Sequence, residues 1–131
     1  MNTPDVDEDI QELAGRLFDM ARNGDDTLCE YIHAGVPVDL ANHQGNTFLM
    51  LAAYAGHAGL VDKLAQRGAD VNKLNDRGQS PLAGAIFKKE QAVIDALLAA
   101  GASATAGTPS ALDTARLFGA QELVSRLESR P

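Results

Sequence analysis

A chain of 131 residues is long enough for one domain with its own hydrophobic core. Its composition is that of an ordinary globular protein, with 45% hydrophobic and 22% charged residues. The formal net charge of −7 argues against nucleic acid and anionic lipid as partners, because binding phosphate groups requires clustered lysine and arginine side chains.

The chain begins with two predicted helices. Thr3 and Pro4 suit the N-cap and the first helical position of a helix that ends at Gly24. A second helix is expected over about residues 26–34, and the side chains that it is predicted to bury are Leu28, Cys29 and Ile32. Four acidic residues lie in the first turns of the first helix: Asp5, Asp7, Glu8 and Asp9. A solvated helix start explains these charges more simply than a docking site for a basic partner does.

Residues 42–105 contain a pattern that recurs after 33 positions, which indicates a stacked repeat architecture. Each copy opens with a four-residue turn, at residues 42–45 and 75–78, that has Asn first and Gly fourth as type I turns favour. Thr47 and Ser80 then supply hydroxyl N-caps for the first helix of each pair. The predicted helices of this region cover about residues 47–56, 58–67, 80–88 and 90–100.

The last helix pair follows a shorter turn. Ser110 is predicted to cap its first helix, with Asp113 as a short substitute for the acid of a capping box. The inward side chains of the final helix are predicted to be Leu123, Val124 and Leu127. Because no single helix pair could bury its apolar face alone, we expect four pairs stacked around one continuous core. The chain would then be one domain, residues 1–131, with units at about 5–41, 42–74, 75–105 and 106–131, the first and last being capping units.

These units resemble the repeats of the ankyrin family. The family pattern Asp-x-x-Gly-x-Thr-Pro-Leu-His-x-Ala-Ala-x-x-Gly-His, followed by an apolar helix and Gly-Ala-Asp-Val-Asn, is matched almost throughout by residues 42–72 and more loosely by residues 75–105. The resemblance implies an all-α solenoid of about four helix-turn-helix units with short β-turn hairpin tips. The chain is also similar to the small stand-alone ankyrin repeat proteins often found in bacteria.

The departures from the family pattern bear on the structure. Phe48 replaces the Pro of Thr-Pro-Leu-His. The His of that motif is replaced in every unit, by Met50, Ala83 and Asp113, which removes the family's usual threonine–histidine hydrogen bond. Lys89 stands where the family has Gly between the two helices, and a left-handed backbone there would strain it by roughly 1 kcal/mol.

The residues that could carry catalysis or bind a metal form no recognisable site. No two of the three histidines share metal-ligand spacing with a cysteine or a carboxylate, and the glycines sit at helix ends and turns. We therefore expect no enzyme activity, no cofactor and no metal. The single cysteine, Cys29, excludes an intramolecular disulfide and suits a small buried hydrophobe. Since the chain has no apolar run of ~20 residues and no secretory signal, we expect a cytoplasmic protein without a membrane span.

The resemblance also implies where a partner docks, because ankyrin repeats bind partners on a concave side made of turn tips and of the first helix of each pair. Carried over by motif position, the turn-tip residues are His43, Gln44, Asn46, Asp76, Arg77 and Gln79. The inner-helix positions are Arg22 and Asn23, Tyr54 and Ala55, Phe87 and Lys88, and Leu117 and Phe118.

Four of these positions hold large apolar side chains, here called the apolar row: Tyr54, Phe87, Leu117 and Phe118. If the apolar row is exposed, it predicts an interaction surface, since aromatic side chains are the usual anchors of interfaces. The alternative is that Phe87 and Phe118 fold onto the neighbouring unit and are half-buried.

The sequence thus favours a module that binds another protein on its concave face as an adaptor, inhibitor or accessory subunit. A more specific alternative is a regulatory or stabilising accessory factor of one enzyme. Two further alternatives stay open, namely an enzyme with an unrecognised site and self-association through the apolar row. We expect a monomer whose partner is a protein and neither nucleic acid nor a membrane.

Overall fold

The structure is a computed structural model that describes the backbone of residues 3–129 and the side chains of residues 9–129. Within residues 3–129 the chain forms eight α-helices and no β-strand, with one isolated antiparallel bridge between Ala41 and Thr47. The helices are α1 (Thr3–Asn23), α2 (Leu28–His33), α3 (Phe48–Tyr54), α4 (Ala58–Gln66), α5 (Pro81–Phe87), α6 (Gln91–Ala99), α7 (Ala111–Leu117) and α8 (Gln121–Glu128). The predicted all-α architecture is confirmed.

Three hydroxyl caps set where the inner helices begin, as the sequence predicts. The side chains of Thr47, Ser80 and Ser110 accept hydrogen bonds from the backbone N–H of the third residue of α3, α5 and α7, at 3.2, 3.1 and 3.1 Å. All three caps are buried, and each bond satisfies one of the backbone donors that the start of a helix leaves without an intrahelical partner. The carboxylate of Asp113 makes no capping-box contact; it lies 3.6 Å from the guanidinium of Arg116, one turn further along α7.

The helices form two layers with the core between them. α1, α3, α5 and α7 pack side by side as the inner layer, while α4 and α6 pack against each other and against α3 and α5. Phe48 is fully buried, and its ring centre lies 5.0 Å from that of Phe18 in α1. The residue that departs from the family's Pro therefore fills the space between the first two inner helices.

The turns that connect the pairs are joined to one another by backbone hydrogen bonds. Gly45 and Gly78 each donate to the carbonyl of the Asn that opens their turn, at 2.9 Å, which confirms the predicted tight turns. The N–H of Asp76 donates to the carbonyl of Gln44 at 3.1 Å, and the N–H of Thr108 donates to the carbonyl of Gly78 at 3.0 Å. The shortened third turn thus still docks onto the second.

Two further details concern a hydrogen bond between units and the backbone at Lys89. His57, which follows α3, donates from Nε2 to the carbonyl oxygen of Arg22 at the end of α1, at 2.8 Å. Lys89 has a φ of +60° and, among the described residues other than glycine, is alone in the left-handed region. The left-handed backbone under which Lys89 is expected to be strained is therefore present.

Some burial differs from the prediction. Ile32 is half-buried, because α2 is a short helix at the end of the stack, whereas Leu28 and Cys29 are buried as predicted. In α8, Leu127 is buried but Leu123 and Val124 are half-buried, since no described helix packs beyond α8. The side chains of Thr3, Pro4, Asp5, Asp7 and Glu8 lie outside the described residues, and Asp9 is exposed.

Candidate partner-binding surface

An apolar cleft opens on the solvent side of the inner layer, across α3, α5 and α7, and has a volume of about 310 Å³. We call it the inner cleft. Its lining consists of Tyr54, Gln79, Ala83, Gly84, Phe87, Lys88, Pro109, Thr114 and Leu117. Three of the four residues of the apolar row belong to this lining, so the structure brings them together.

The floor of the inner cleft is the ring of Tyr54 lying over Gly84. A β-carbon at position 84 would stand 2.6 Å from Cζ of Tyr54 and closer still to Cε1, so the ring occupies the space that any other residue would need. Tyr54 is half-buried in consequence, whereas the sequence predicts it to be exposed. This burial raises the pKa of the Tyr54 hydroxyl above its ordinary value.

The walls of the inner cleft are two large apolar side chains that stand in solvent. Phe87 is 66% exposed and Leu117 is 77% exposed. Each follows the buried positions of its helix and is the last residue of α5 or α7, beyond the reach of the core. Neighbouring exposed apolar groups of this size are a feature of interaction surfaces, because water solvates them poorly.

Phe118 is exposed as well, but it lies on a different side. Its ring centre is 5.7 Å from that of Phe87 at an interplanar angle of 56°, and it is 43% exposed. It lines a second groove of about 540 Å³, together with Ile86, Lys89 and side chains of α6 and α8. The apolar row is therefore split between two grooves: Tyr54, Phe87 and Leu117 line the inner cleft, and Phe118 lines the second groove.

The predicted turn-tip residues also divide into two groups. His43, Gln44, Asp76 and Arg77 are exposed. Asn46 and Gln79 are half-buried, and the side-chain amide of Asn75 donates to their carbonyl oxygens, to Oδ1 of Asn46 at 2.9 Å and to Oε1 of Gln79 at 2.8 Å. These two residues hold the turns together, although Gln79 reaches the inner cleft as well.

The remaining inner-helix positions lie outside the inner cleft. Arg22, Asn23 and Ala55 are exposed, and the guanidinium of Arg22 pairs with Asp19 at 2.8 Å. Lys88, in contrast, lines the cleft and is exposed at its rim. The predicted partner-binding residues are therefore not one continuous row; they concentrate at the C-terminal end of the inner layer.

Four lining residues are absent from the sequence-based prediction: Ala83, Gly84, Pro109 and Thr114. Gly84 could have been found, because it falls one period after Leu51, in the middle of a helix, where Gly costs about 1 kcal/mol relative to Ala. The other three are small side chains, and their sequence context contains no comparable signal.

The chemistry of the inner cleft suits binding. No carboxylate, histidine or cysteine is among its lining residues. Across the described part of the chain, no group of three or more His, Cys, Asp or Glu side chains could hold a metal ion. In the same part, no helix combines the length and the apolar character that crossing a bilayer requires.

Comparison with known proteins identifies the family. A family model described as ankyrin repeats in three copies matches residues 17–108. A Pseudomonas aeruginosa protein named for its ankyrin repeats is 44% identical over 59 residues, which cover 44% of this chain and 34% of that protein. The inactive serine/threonine-protein kinase TEX14 of Mus musculus is 37% identical over 90 residues, which cover 68% of this chain and 6% of that protein. Ankyrin repeat domain-containing protein 29 of Homo sapiens is 44% identical over 62 residues, which cover 46% of this chain and 21% of that protein.

The matched segments thus span about a third of these relatives or less. The relatives come from a bacterium and from animals, so a bacterial source stays a prediction. Ankyrin repeats are generally protein–protein interaction modules, and their fold is a non-catalytic one. The family model covers well over half of the chain, and the chain therefore belongs to the ankyrin repeat family.

Proposed function

We propose that this chain binds a partner protein in the inner cleft and acts as an adaptor, inhibitor or accessory subunit without catalysing a reaction. The observation that supports this proposal is the exposure of Phe87 and Leu117, which both line one apolar cleft. The turn tips His43, Gln44, Asp76 and Arg77 are exposed, and in the binding mode that the family resemblance implies they would contribute polar contacts at the rim.

The energetic argument is the cost of leaving these side chains in water. Covering the exposed parts of Phe87 and Leu117 would contribute about 1–2 kcal/mol each to association. Apolar anchors at the centre of a patch with a polar rim are the usual arrangement of binding hot spots. We further propose that the chain itself is monomeric, so that this cleft is free to receive the partner.

The test is affinity capture of the partner from the native cell with three tagged forms of the chain. The cleft variant is Phe87→Ser combined with Leu117→Ser. The matched control is Leu74→Ser, because Leu74 is 41% exposed, lies between α4 and the turn at residues 75–78, and does not line the inner cleft. Thermal melts of all three proteins show whether each is folded at the capture temperature.

We expect the wild type and the Leu74→Ser protein to recover the same specific partner and the cleft variant to lose it. Equal recovery by all three folded proteins would show that the partner binds elsewhere on the chain.

A further inference from the structure

The inner cleft has a local charge opposite to that of the whole chain. The formal net charge is −7, yet Lys88 is the one charged residue among the cleft's lining residues. Two more basic side chains are close in the sequence but do not line the inner cleft: Arg77 is exposed in the preceding turn, and Lys89 lines the second groove with its Nζ 5.9 Å from the ring centre of Phe118. Among the described residues, none of these three cations takes part in an ion pair.

The neighbouring acidic side chains are directed elsewhere. Asp76 lies against the preceding turn, where a β-carbon on Gly45 would stand 2.9 Å from its Cγ. Glu90 lies against Gly56, where a β-carbon would stand 2.8 Å from its Oε2. The carboxylate of Asp113 lies 3.6 Å from the guanidinium of its helix neighbour. Lys88 is therefore left at the rim of an apolar cleft without a counter-charge.

The backbone at the inner cleft limits how a partner can bind. The described residues include no β-strand, so the cleft presents no sheet edge to which an extended peptide could add a strand. Recognition must then come from side chains that enter the cleft and from charges at its rim. An apolar group would contact Tyr54, Phe87 and Leu117, and a charged group beside it would meet Lys88.

We propose that the partner presents an apolar segment flanked by Asp or Glu carboxylates, with its apolar side chains in the inner cleft and a carboxylate at Lys88. This rests on the proposed function and adds the chemistry of the partner. Charges farther away than a Debye length, about 8 Å at physiological ionic strength, are largely screened. Those acidic residues that lie farther from the cleft than this length therefore repel such a segment little, whereas Lys88 attracts it at contact distance.

The first part of the test is selection of 16-residue peptides from a random phage-displayed library on the immobilised wild-type chain. The enriched peptides are then assayed for binding to the folded Phe87→Ser/Leu117→Ser protein. We expect peptides that combine apolar residues with Asp or Glu and that bind this variant at least tenfold more weakly.

The outcomes separate the two proposals. Cleft-dependent peptides that are basic or uncharged would overturn the acidic partner and leave the inner cleft as the binding site. Peptides that bind the cleft variant as well as the wild type would overturn both proposals, and so would a selection that enriches no peptide above an uncoated surface.

The second part isolates Lys88 by a matched pair of charge reversals, Lys88→Glu and Lys73→Glu. Lys73 is exposed, lies before the turn at residues 75–78 and does not line the inner cleft. Both variants change the net charge equally, so only the position of the charge differs. By fluorescence polarisation of the selected acidic peptide, we expect Lys88→Glu to raise Kd about tenfold and Lys73→Glu to raise it less than twofold. Equal effects of the two reversals would contradict the contact at Lys88.

Discussion

Gly84 provides the sharpest test of how the inner cleft is built. It lies in the middle of α5 with an ordinary helical backbone, so the helix propensity of Ala would favour Gly84→Ala by about 1 kcal/mol. The new β-carbon, however, would stand 2.6 Å from Cζ of Tyr54 and closer to Cε1. Real β-carbons do not approach ring atoms so closely, and the Tyr54 ring must therefore leave its place.

The magnitude follows from these two opposing effects. Moving the half-buried Tyr54 ring into water costs about 1–2 kcal/mol of apolar burial. Because the gain in helix propensity offsets part of this cost, Gly84→Ala should lower the free energy of unfolding of the wild-type chain by between zero and about 1 kcal/mol. In a Tyr54→Ala chain no ring has to move, and the same substitution should stabilise by about 1 kcal/mol. The coupling energy between the two positions is then about 1–2 kcal/mol.

The assay is urea denaturation of the four proteins of this double-mutant cycle, with free energies of unfolding from linear extrapolation. Gly15→Ala is the matched control, because Gly15 lies inside α1 and a β-carbon there would meet no atom within 4 Å. The control should stabilise the chain equally with and without Tyr54. If Gly84→Ala also stabilises by about 1 kcal/mol in both backgrounds, the Tyr54 ring does not occupy the space above Gly84. The description of that ring as the floor of the inner cleft would then be wrong.

Three further predictions concern strain, the turns and pH. Lys89→Gly should raise Tm by about 3–5 °C, because Gly adopts the observed φ of +60° without the strain of about 1 kcal/mol that a β-carbon causes; thermal melts measure it. Asn75→Ala should lower the free energy of unfolding by about 2–3 kcal/mol, because its buried side chain makes four hydrogen bonds; urea denaturation measures it. The free energy of unfolding of the wild-type chain should fall relative to that of a Tyr54→Phe chain as pH rises above about 10. Burial raises the pKa of the Tyr54 hydroxyl in the folded state alone, so the unfolded chain ionises first; denaturation between pH 9 and 11 measures the difference.

Each of these has its own control. Lys89→Ala keeps the β-carbon and should not raise Tm; a rise as large as that of Lys89→Gly would trace the effect to the amine and not to the backbone. Asn42→Ala removes two hydrogen bonds at a more exposed site and should cost about 1 kcal/mol; a loss equal to that at Asn75 would contradict the role of the amide link between turns. Parallel pH dependence of the wild-type and Tyr54→Phe proteins would contradict the burial of the hydroxyl.

The sequence predicted those parts of the fold that depend on local chemistry. The 33-residue period and the hydroxyl caps at Thr47, Ser80 and Ser110 place the inner helices, because a cap bonds a backbone donor only three residues away. Lys89 stands between two helices where the family has Gly, and this position indicates where a left-handed backbone would strain a residue with a β-carbon. Each of these features is set within a few residues, so it is visible without knowing how the helices pack.

The details of the surface were not predictable in the same way, because they depend on contacts between different helix pairs. Tyr54 is covered only because the next inner helix has Gly84 at the facing position. Phe118 turns from the inner cleft toward the groove between α6 and α8, where it packs on Phe87 and Lys89. Asn46 is drawn into a bond with Asn75, which lies 29 residues further along the chain. The position of a residue in the repeat motif identifies the helix face on which it lies. It does not identify which residue of the adjacent helix pair its side chain contacts.

The most direct test of partner binding in the inner cleft is site-specific photo-crosslinking in the native cell. A photoreactive phenylalanine analogue is placed either at Phe87, 66% exposed on the cleft wall, or at Leu74, 41% exposed and outside the cleft lining. We expect a discrete light-dependent adduct with a partner protein from position 87 and none from position 74. An adduct from position 74 alone, or none from position 87 although the chain is folded and abundant, would contradict it.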